Sequence, residues 1–594
     1  MPSATRPARA LWRALVVLAA AALALPLAAP GAAAGASTGS AGGTYEAQVV
    51  GGSPVGDGAA PWMAALVVAG RDGTPQPFCG GTLVEDRWVL TAAHCVEEDF
   101  LDGRDVAVHV GMTDLADAAR PIAVSRIVVH PEATGVAPWP ADAALLRLAE
   151  PAGSESIALA SGADLAAYAP GAAATTLGWG LTDPEADPGD GEAYPERLQA
   201  AATPLHSDLA CARAIGGGFD DALMTCAGAA GRASCTGDSG GPLVATQRGE
   251  PRLLGVVSSG RGRCADDPRS LYVTVAGILD WIEEVTGGEV GAGEPARLGG
   301  DDVHATAAAI TRQAFDAGQR TVYAASSAAF PDGLAGGALA ARSGPLLLVP
   351  PEGALPDAVD VELGRLAPEE IVVLGGEAAV GRDVAAALED HAPVRRLAGD
   401  DRYATAAAVA RQWGHAETVF LATGQAYPDA LATVPLTVGN GPVALTRTDR
   451  LPAPTRDLLA DLDPETIVVL GGEKAISAEV EAELSTLAGE VRRVAGADRY
   501  ATAAALARDR LAPGGPSTVY ATTGRAFGEA LVGGVTAAAQ GSPLLLVHPE
   551  RPPEAALGAI DALGPRRVVT LGDEGAVSGE VAAALHAATV RWGR

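Results

Sequence analysis

Lysine is nearly absent from this chain: Lys474 is the only one in 594 residues. Aromatic residues make up 4%, and Lys plus Arg number 42 against 72 Asp plus Glu, for a formal net charge of −30. That balance excludes nucleic-acid binding, which needs a basic footprint. It also argues against simple electrostatic docking to anionic lipid or wall polymer. Beyond the first thirty residues no stretch reaches the roughly 18 uninterrupted apolar residues of a membrane span, so the mature chain is expected to have no transmembrane segment. Cysteine is missing after Cys264. The last 330 residues are thus built without disulfides, and the chain divides into two differently made halves. At this length one core does not suffice and several domains are expected.

What is present begins with an export signal. Arg6, Arg9 and Arg13 form a basic start, Leu15 to Leu27 an apolar run, and Ala32-Ala33-Ala34 and Ala34-Gly35-Ala36 both suit signal peptidase. We read residues 1–36 as a signal peptide, with an uncleaved anchor as the competing reading, and 37–48 as a short pro-segment. Six cysteines follow: Cys79, Cys95, Cys211, Cys226, Cys235 and Cys264. An even count after an export signal points to disulfides in a secreted, extracellular protein rather than to metal or redox chemistry. No metal and no cofactor are called for.

From Val49 to about residue 286 short β-type runs, such as Met63–Val68, Trp88–Thr91, Val106–Val110 and Ile122–Val129, alternate with Gly/Pro turns. This spacing predicts an antiparallel barrel or sandwich, closed by a helix over Val275–Val285. Two words in it carry chemistry. In Leu90-Thr91-Ala92-Ala93-His94-Cys95 the histidine is a base that titrates near neutrality; in Thr236-Gly237-Asp238-Ser239-Gly240-Gly241-Pro242 the serine is a nucleophile that needs such a base. Asp142, heading the run Ala143–Leu148, supplies a carboxylate to orient the histidine. The amides of Gly237 and Ser239 are placed to form an oxyanion hole. Taken singly, each of these residues also has a purely structural reading.

Together, from Val49 to about Thr286, they resemble the chymotrypsin-like (trypsin-like) serine peptidases, in the family's order His, Asp, Ser. The resemblance implies an all-β double six-stranded antiparallel barrel over 49–286, protein or peptide substrates, and a catalytic set of His94, Asp142 and Ser239. It further implies that Val49, freed by cleavage after Gln48, pairs with Asp238; that Ser258 supports Asp142; and that the disulfides are Cys79–Cys95, Cys211–Cys226 and Cys235–Cys264. The specificity pocket falls on Ala233, Ser234, Gly260 and Ser270. Tryptic pockets carry an aspartate where this chain has Ala233, so the pocket is expected to take apolar side chains; Asp266 and Asp267 remain an alternative source of charge. The acidic run Asp183 to Glu192 lacks the ligand pattern of a calcium loop and reads as solvated surface.

Residues 287–295 read as a linker. After it the chain repeats three times. Gly300-Asp301-Asp302-Val303-His304-Ala305-Thr306-Ala307 returns as Gly399-Asp400-Asp401-Arg402-Tyr403-Ala404-Thr405-Ala406 and as Gly496-Ala497-Asp498-Arg499-Tyr500-Ala501-Thr502-Ala503. Each copy also carries an apolar run near Thr321, Thr418 or Thr518 and an Ile/Val-Val-Val-like run ending in Leu-Gly. Short apolar runs alternating with Ala-rich helical stretches predict parallel sheets covered on both faces, in units at 296–392, 393–489 and 490–594. The words resemble cell-wall-binding repeats of Gram-positive surface proteins. That likeness implies a pseudo-threefold trimer that binds an anionic wall polymer non-covalently, with Arg402, Tyr403, Arg499 and Tyr500 as ligand candidates and Arg395, Arg396, Arg492 and Arg493 nearby. Helix capping and internal ion pairing by Asp401–Arg402 and Asp498–Arg499 is the competing reading. Val303 and His304 depart from the pattern in the first copy. The function expected is a secreted, wall-held serine endopeptidase; a catalytically silent adhesion or scaffold protein is the alternative.

Overall fold

The computed structural model describes residues 50–70, 73–117, 120–133, 140–183, 185–187, 190, 193–216, 218–247, 249–260, 264, 269–290, 295–509 and 515–589. The signal and pro-segments, Val49, Asp266 and Asp267 lie outside them. Among the described residues no helix is long and apolar enough to cross a membrane.

Seven strands open the chain: β1 (Ser53–Pro54), β2 (Met63–Ala69), β3 (Pro75–Glu85), β4 (Trp88–Thr91), β5 (Val106–Val110), β6 (Ile122–Val129) and β7 (Ala144–Leu148). β2 to β7 close into a barrel in the order β2-β3-β4-β7-β6-β5. Strands such as β2 are apolar on both faces, and Met63, Leu66, Leu83, Leu90 and Leu145 are fully buried. Next come β8 (Ala158–Leu159), β9 (Ala173–Gly178), β10 (Gln199–Pro204), β11 (Met224–Ala227), β12 (Pro242–Gln247), β13 (Glu250–Gly260) and β14 (Ser270–Thr274). Six of them run β10-β9-β12-β13-β14-β11, and the outer two meet through a bridge between Leu205 and Ala227. β1 and β8 add short edges to this second barrel. The helix Val275–Thr286 follows, and Gly287, in the left-handed region at φ 71°, ends it.

Within the segment read as a linker, Glu289 and Val290 are packed. Val290 is buried in the peptidase-half core, and Glu289 accepts a hydrogen bond of 2.8 Å from the Trp88 indole.

The repeats contain β15 (Ala296–Leu298), β16 (Thr321–Ser326), β17 (Leu346–Val349), β18 (Glu370–Leu374), β19 (Val394–Leu397), β20 (Thr418–Thr423), β21 (Val443–Thr446), β22 (Thr466–Leu470), β23 (Glu490–Val494), β24 (Thr518–Thr523), β25 (Leu544–Val547) and β26 (Arg567–Leu571). They form three four-stranded parallel sheets, ordered β17-β16-β18-β19, β21-β20-β22-β23 and β25-β24-β26-β15. The sheets do not coincide with the sequence repeats. Each takes its fourth strand from the start of another copy: β19 from the second, β23 from the third, and β15 from the first, which closes the ring. Phe330, Tyr427 and Phe527, one from each copy, meet edge-on with centroids 5.3 to 6.3 Å apart. One apolar core runs through all three copies.

That core also includes Leu165 of the peptidase half, and the two halves share a polar interface. The Arg566 guanidinium donates to Glu132 at 2.6 Å and to Asp220 at 2.9 Å. Arg567 reaches Asp221 at 3.3 Å, and Asp316 accepts from both the amide and the hydroxyl of Ser207. Asp208, which accepts from Gln540 at 2.9 Å, has its pKa pushed up to about 8 by burial and by the Asp221 charge, with Arg567 opposing. Arg567→Ala takes the cation from Asp221 and its charge from Asp208. We expect a loss of about 3 kcal/mol, read as a lower calorimetric unfolding temperature; an unchanged transition contradicts an energetic role for this interface.

Candidate active site

His94 sits in the 3-10 turn Ala93–Val96, directly after β4. Asp142 stands two residues before β7. β4 and β7 pair antiparallel with Thr91 opposite Ala144, so the register brings the residues beyond each strand end side by side. The Cys79–Cys95 disulfide, with Cα atoms 6.3 Å apart, ties the histidine's turn to β3.

The Asp142 carboxylate is 2% exposed and collects three donors. Oδ1 accepts from the His94 amide at 3.0 Å. Oδ2 accepts from His94 Nδ1 at 2.7 Å and from Ser258 Oγ at 2.6 Å. Burial pushes this carboxyl up, but the His94 and Ser258 hydrogen bonds outweigh it and hold the pKa below the usual value. With Nδ1 donating to Asp142, the lone pair of the neutral imidazole lies on Nε2.

Ser239 is carried on a tight turn that both barrels grip. Its carbonyl accepts from the Gly80 amide at 2.7 Å, beside Cys79, and the Gly240 amide donates to Val257 at 2.8 Å. Val257 in turn donates to Gly241 at 2.9 Å, which brings Ser258 alongside. Gly240 has φ +78°, and a Cβ there would overlap Thr91 Oγ1 and the Gly80 carbonyl. The chain just past the serine therefore packs on the residues just before the histidine.

The amides of Gly237 and Ser239 donate to no protein group among the described residues. Gly237 lies at φ +96°, closely packed by Tyr194 and Gly180, so a side chain is excluded there. Asp238 between them is fully buried. It accepts from the Gly180 and Cys235 amides, both at 2.8 Å. Burial pushes its pKa up to about 6, against those two hydrogen bonds. Val50 is buried in a small cluster with Leu181 and Cys235, next to the Asp238 turn; Val49 lies outside the described residues.

Ala233, Ser234 and Ser270 are buried. The Ser270 hydroxyl donates to the Ser234 carbonyl at 3.3 Å, and Gly260 pairs with Ser270 across β13 and β14. The structure thus brings Ser234, Ser270 and Gly260 together, with Ala233 next to Ser234 in the chain. The sequence reading missed Tyr272, fully buried two residues beyond Ser270, with Thr176, Ser234 and Ser270 around its hydroxyl. Period-two alternation along β14 places it on the same face and was the available signal. The other two disulfides, Cys211–Cys226 and Cys235–Cys264, also form. Among the described residues one His/Cys/acid group is close enough to hold a metal, Cys79, His94 and Cys95; both sulfurs are spent in the disulfide.

In the repeats, the shared word is first a folding device. Asp302, Asp401 and Asp498 each accept from two amides and so cap their helices. Thr306, Thr405 and Thr502 hydroxyls accept from the Gly300, Gly399 and Gly496 amides. Arg402 and Arg499 donate not to those aspartates but to the carbonyls of Gly424 and Gly524, each at 2.6 Å. Tyr403 is 5% exposed and Tyr500 half-buried. Arg395 and Arg492 are paired with Glu370 and Asp509, while Arg396 and Arg493 bind the Gly375 and Gly471 turns.

Comparison with known proteins matches this architecture. The family model described as Trypsin matches residues 49–282, and that described as Cell wall binding domain 2 (CWB2) matches 297–385, 396–481 and 493–582. Trypsin of Saccharopolyspora erythraea is 36% identical over 246 residues, 41% of this chain and all of that protein. Human Serine protease 56 is 35% identical over 250 residues, 40% of this chain but 38% of that protein's length. The solved structure of neuropsin, a serine protease expressed in the limbic system of mouse brain, is 29% identical, covers 40% of this chain and 98% of that one, and has a TM-score of 0.33. The fold and site define a serine-type endopeptidase. The chain belongs to the trypsin family and carries three cell wall binding repeats after the peptidase domain.

Gly240→Ala introduces both overlap and a strained φ. It should cost about 3 kcal/mol or more and abolish turnover; a variant that keeps wild-type stability and rate contradicts the close approach described for this turn.

Proposed function

We propose that this protein is a secreted serine endopeptidase, active through His94, Asp142 and Ser239 and held at a cell wall by its repeats. The observation that carries the proposal is the Asp142 carboxylate, which gathers His94 and Ser258 while the Ser239 turn is pinned against residues 91–92. In the reaction, His94 Nε2 takes the Ser239 proton as Oγ attacks the substrate carbonyl carbon. Asp142 stays ionised and stabilises the imidazolium. The carbonyl oxygen, now an anion, is met by the amides of Gly237 and Ser239, each worth about 10²–10³ in rate. His94 then protonates the leaving amine, and water repeats the sequence to release the acyl group. Ala233 gives the pocket no buried charge, so a substrate cation entering it lacks a partner and apolar side chains are preferred.

A fluorophosphonate probe should label the chain beginning at Val49, and Ser239→Ala should abolish the labelling. Failure of the folded, processed chain to label sinks the enzyme reading. A peptide-library profile checks the pocket: cleavage after Arg or Lys would contradict the role given to Ala233. Ser258→Ala should lower kcat/KM about tenfold by removing one hydrogen bond to a charged group. For the repeats, residues 296–594 should sediment with purified walls; protein left in the supernatant at low salt removes the anchoring claim.

Processing also has a pH signature. Burial raises the Asp238 carboxyl from its ordinary value of 3.8 to about 6, so in the uncleaved chain the stability it contributes is complete at acid pH and lost as pH rises through 6. A Val49 ammonium beside it reverses that preference. Between pH 5 and 8, uncleaved Ser239→Ala protein should lose on the order of 1 kcal/mol relative to the same protein beginning at Val49. Parallel stability curves would contradict the pairing.

A further inference from the structure

We propose that the joint between the peptidase domain and the repeats is a proton-loaded clasp, closed with a proton on the Asp208 carboxyl and loosened when that proton leaves, so that pH sets how firmly the peptidase is held. Neither the catalytic set nor wall binding enters into it.

The joint is short of positive charge. Beside Asp208, the carboxylates of Glu132, Asp220, Asp221 and Asp316 share two guanidiniums, Arg566 and Arg567. Arg566 holds Glu132 at 2.6 Å and Asp220 at 2.9 Å. Arg567 holds Asp221 at 3.3 Å. Asp316, on the repeat side, takes the Ser207 amide at 3.0 Å and the Ser207 hydroxyl. Among the described residues the Asp208 carboxylate receives one side-chain donor, the neutral amide of Gln540 at 2.9 Å. It is the acid of the group to which no guanidinium is bonded.

The joint is also short of hydrogen-bond donors. It contains a cavity of about 60 Å³ lined by Asp208, Asp221, Gln313, Tyr168 and Arg567 with their neighbours. Gln313, on the helix Val303–Ala314 of the first copy, is 6% exposed, and its Oε1 is buried with no donor. The Tyr168 hydroxyl is spent on the Leu254 carbonyl at 2.7 Å and the Tyr520 hydroxyl on Gln540. Arg567 is divided between Asp221 and Thr518. A proton on Asp208 removes a charge and adds a donor, and the cavity has room for a water that passes the hydrogen bond on to Gln313. A metal ion needs converging ligands, and among the described residues no three acid or histidine ligands at the joint lie within 4.8 Å of one another.

The electrostatics agree with this shortage. Burial first, then the Asp221 charge and more weakly Asp316, raise the Asp208 carboxyl to about 8, with Arg567 opposing. Burial and Asp220 raise Asp221 as well, against Arg567 and Thr518. With the joint open and water in contact, the Asp208 carboxyl returns toward its ordinary 3.8. Closing therefore takes up a proton. The closed form has its full advantage toward acid pH, loses about tenfold per pH unit between the two values, and changes no further above about 8. Of the other titratable groups facing the joint, His130 is pushed down to about 3 by burial and the Arg566 charge, and burial raises Tyr168 and Tyr520. His206, bonded to the Gly228 carbonyl at 2.8 Å, and His586, facing Asp280 at 3.8 Å, are the histidines whose protonation has to be separated from that of Asp208.

The Ser207 amide reports on the joint directly, because its acceptor, Asp316, belongs to the other half. Its deuterium exchange is followed by mass spectrometry in the full Ser239→Ala chain from pH 5.5 to 8.5, each rate divided by the intrinsic rate at that pH to give a protection factor. Protection should fall about tenfold or more across this range. In Asp208→Asn, which keeps the shape of the side chain without its charge, protection should stay within about twofold of its acid value. His206→Gln and His586→Gln should leave the fall in place. Protection that is flat with pH in the parent chain overturns the proposal whatever the variants do. So does an undiminished fall in Asp208→Asn, or a fall that His206→Gln or His586→Gln abolishes.

Discussion

The Asp142 carboxylate is the constraint from which the catalytic half takes its shape. An anion this deeply buried is tolerated only with its donors in place, and losing one leaves an uncompensated charge. Its three donors come from two barrels. The His94 amide and ring belong to the turn after β4, and the Ser258 hydroxyl to β13. The first barrel must hold its strand register to supply the former, and the second must dock to supply the latter. The Ser239 turn, hydrogen-bonded to β3 on one side and β13 on the other, lies across the same junction. Folding and site assembly are therefore satisfied by the same contacts.

Much of this was legible in the linear sequence because it is local. The runs Trp88–Thr91 and Val106–Val110 coincide with strands, since alternation and turn chemistry are properties of a few neighbouring residues. The words around His94 and Ser239 carry their own geometry in their glycines. What escaped is relational. Tyr272 needed the register of β14 against β13. The origin of each sheet's fourth strand depends on which copy packs beside which, and Val394–Leu397 reads the same whether it pairs within its own copy or with the preceding one. The arginines of the repeats look alike in sequence, yet Arg395 is spent on Glu370 while Arg402 faces a carbonyl; only the packing separates them.

The strand exchange also bears on function. Because β15 completes the third sheet, the end of the peptidase half leads directly into the closing strand of the ring, and residues 287–290 are partly packed rather than loosely strung. With Arg566 and Arg567 bonded to acids of the peptidase half, the repeats and the catalytic unit are coupled through a polar interface as well as through the chain. A module docked in this way presents its peptidase at a set orientation, so attachment to a surface fixes which substrates come within reach.

The most direct measurement is a crystal structure of the processed chain after reaction with a fluorophosphonate. The account predicts phosphorus bonded to Ser239 Oγ, a phosphoryl oxygen within hydrogen-bonding distance of the Gly237 and Ser239 amides, and Asp142 still receiving the His94 amide, His94 Nδ1 and Ser258 Oγ. An adduct on another residue, or an Asp142 turned away from His94 in the labelled protein, would contradict it.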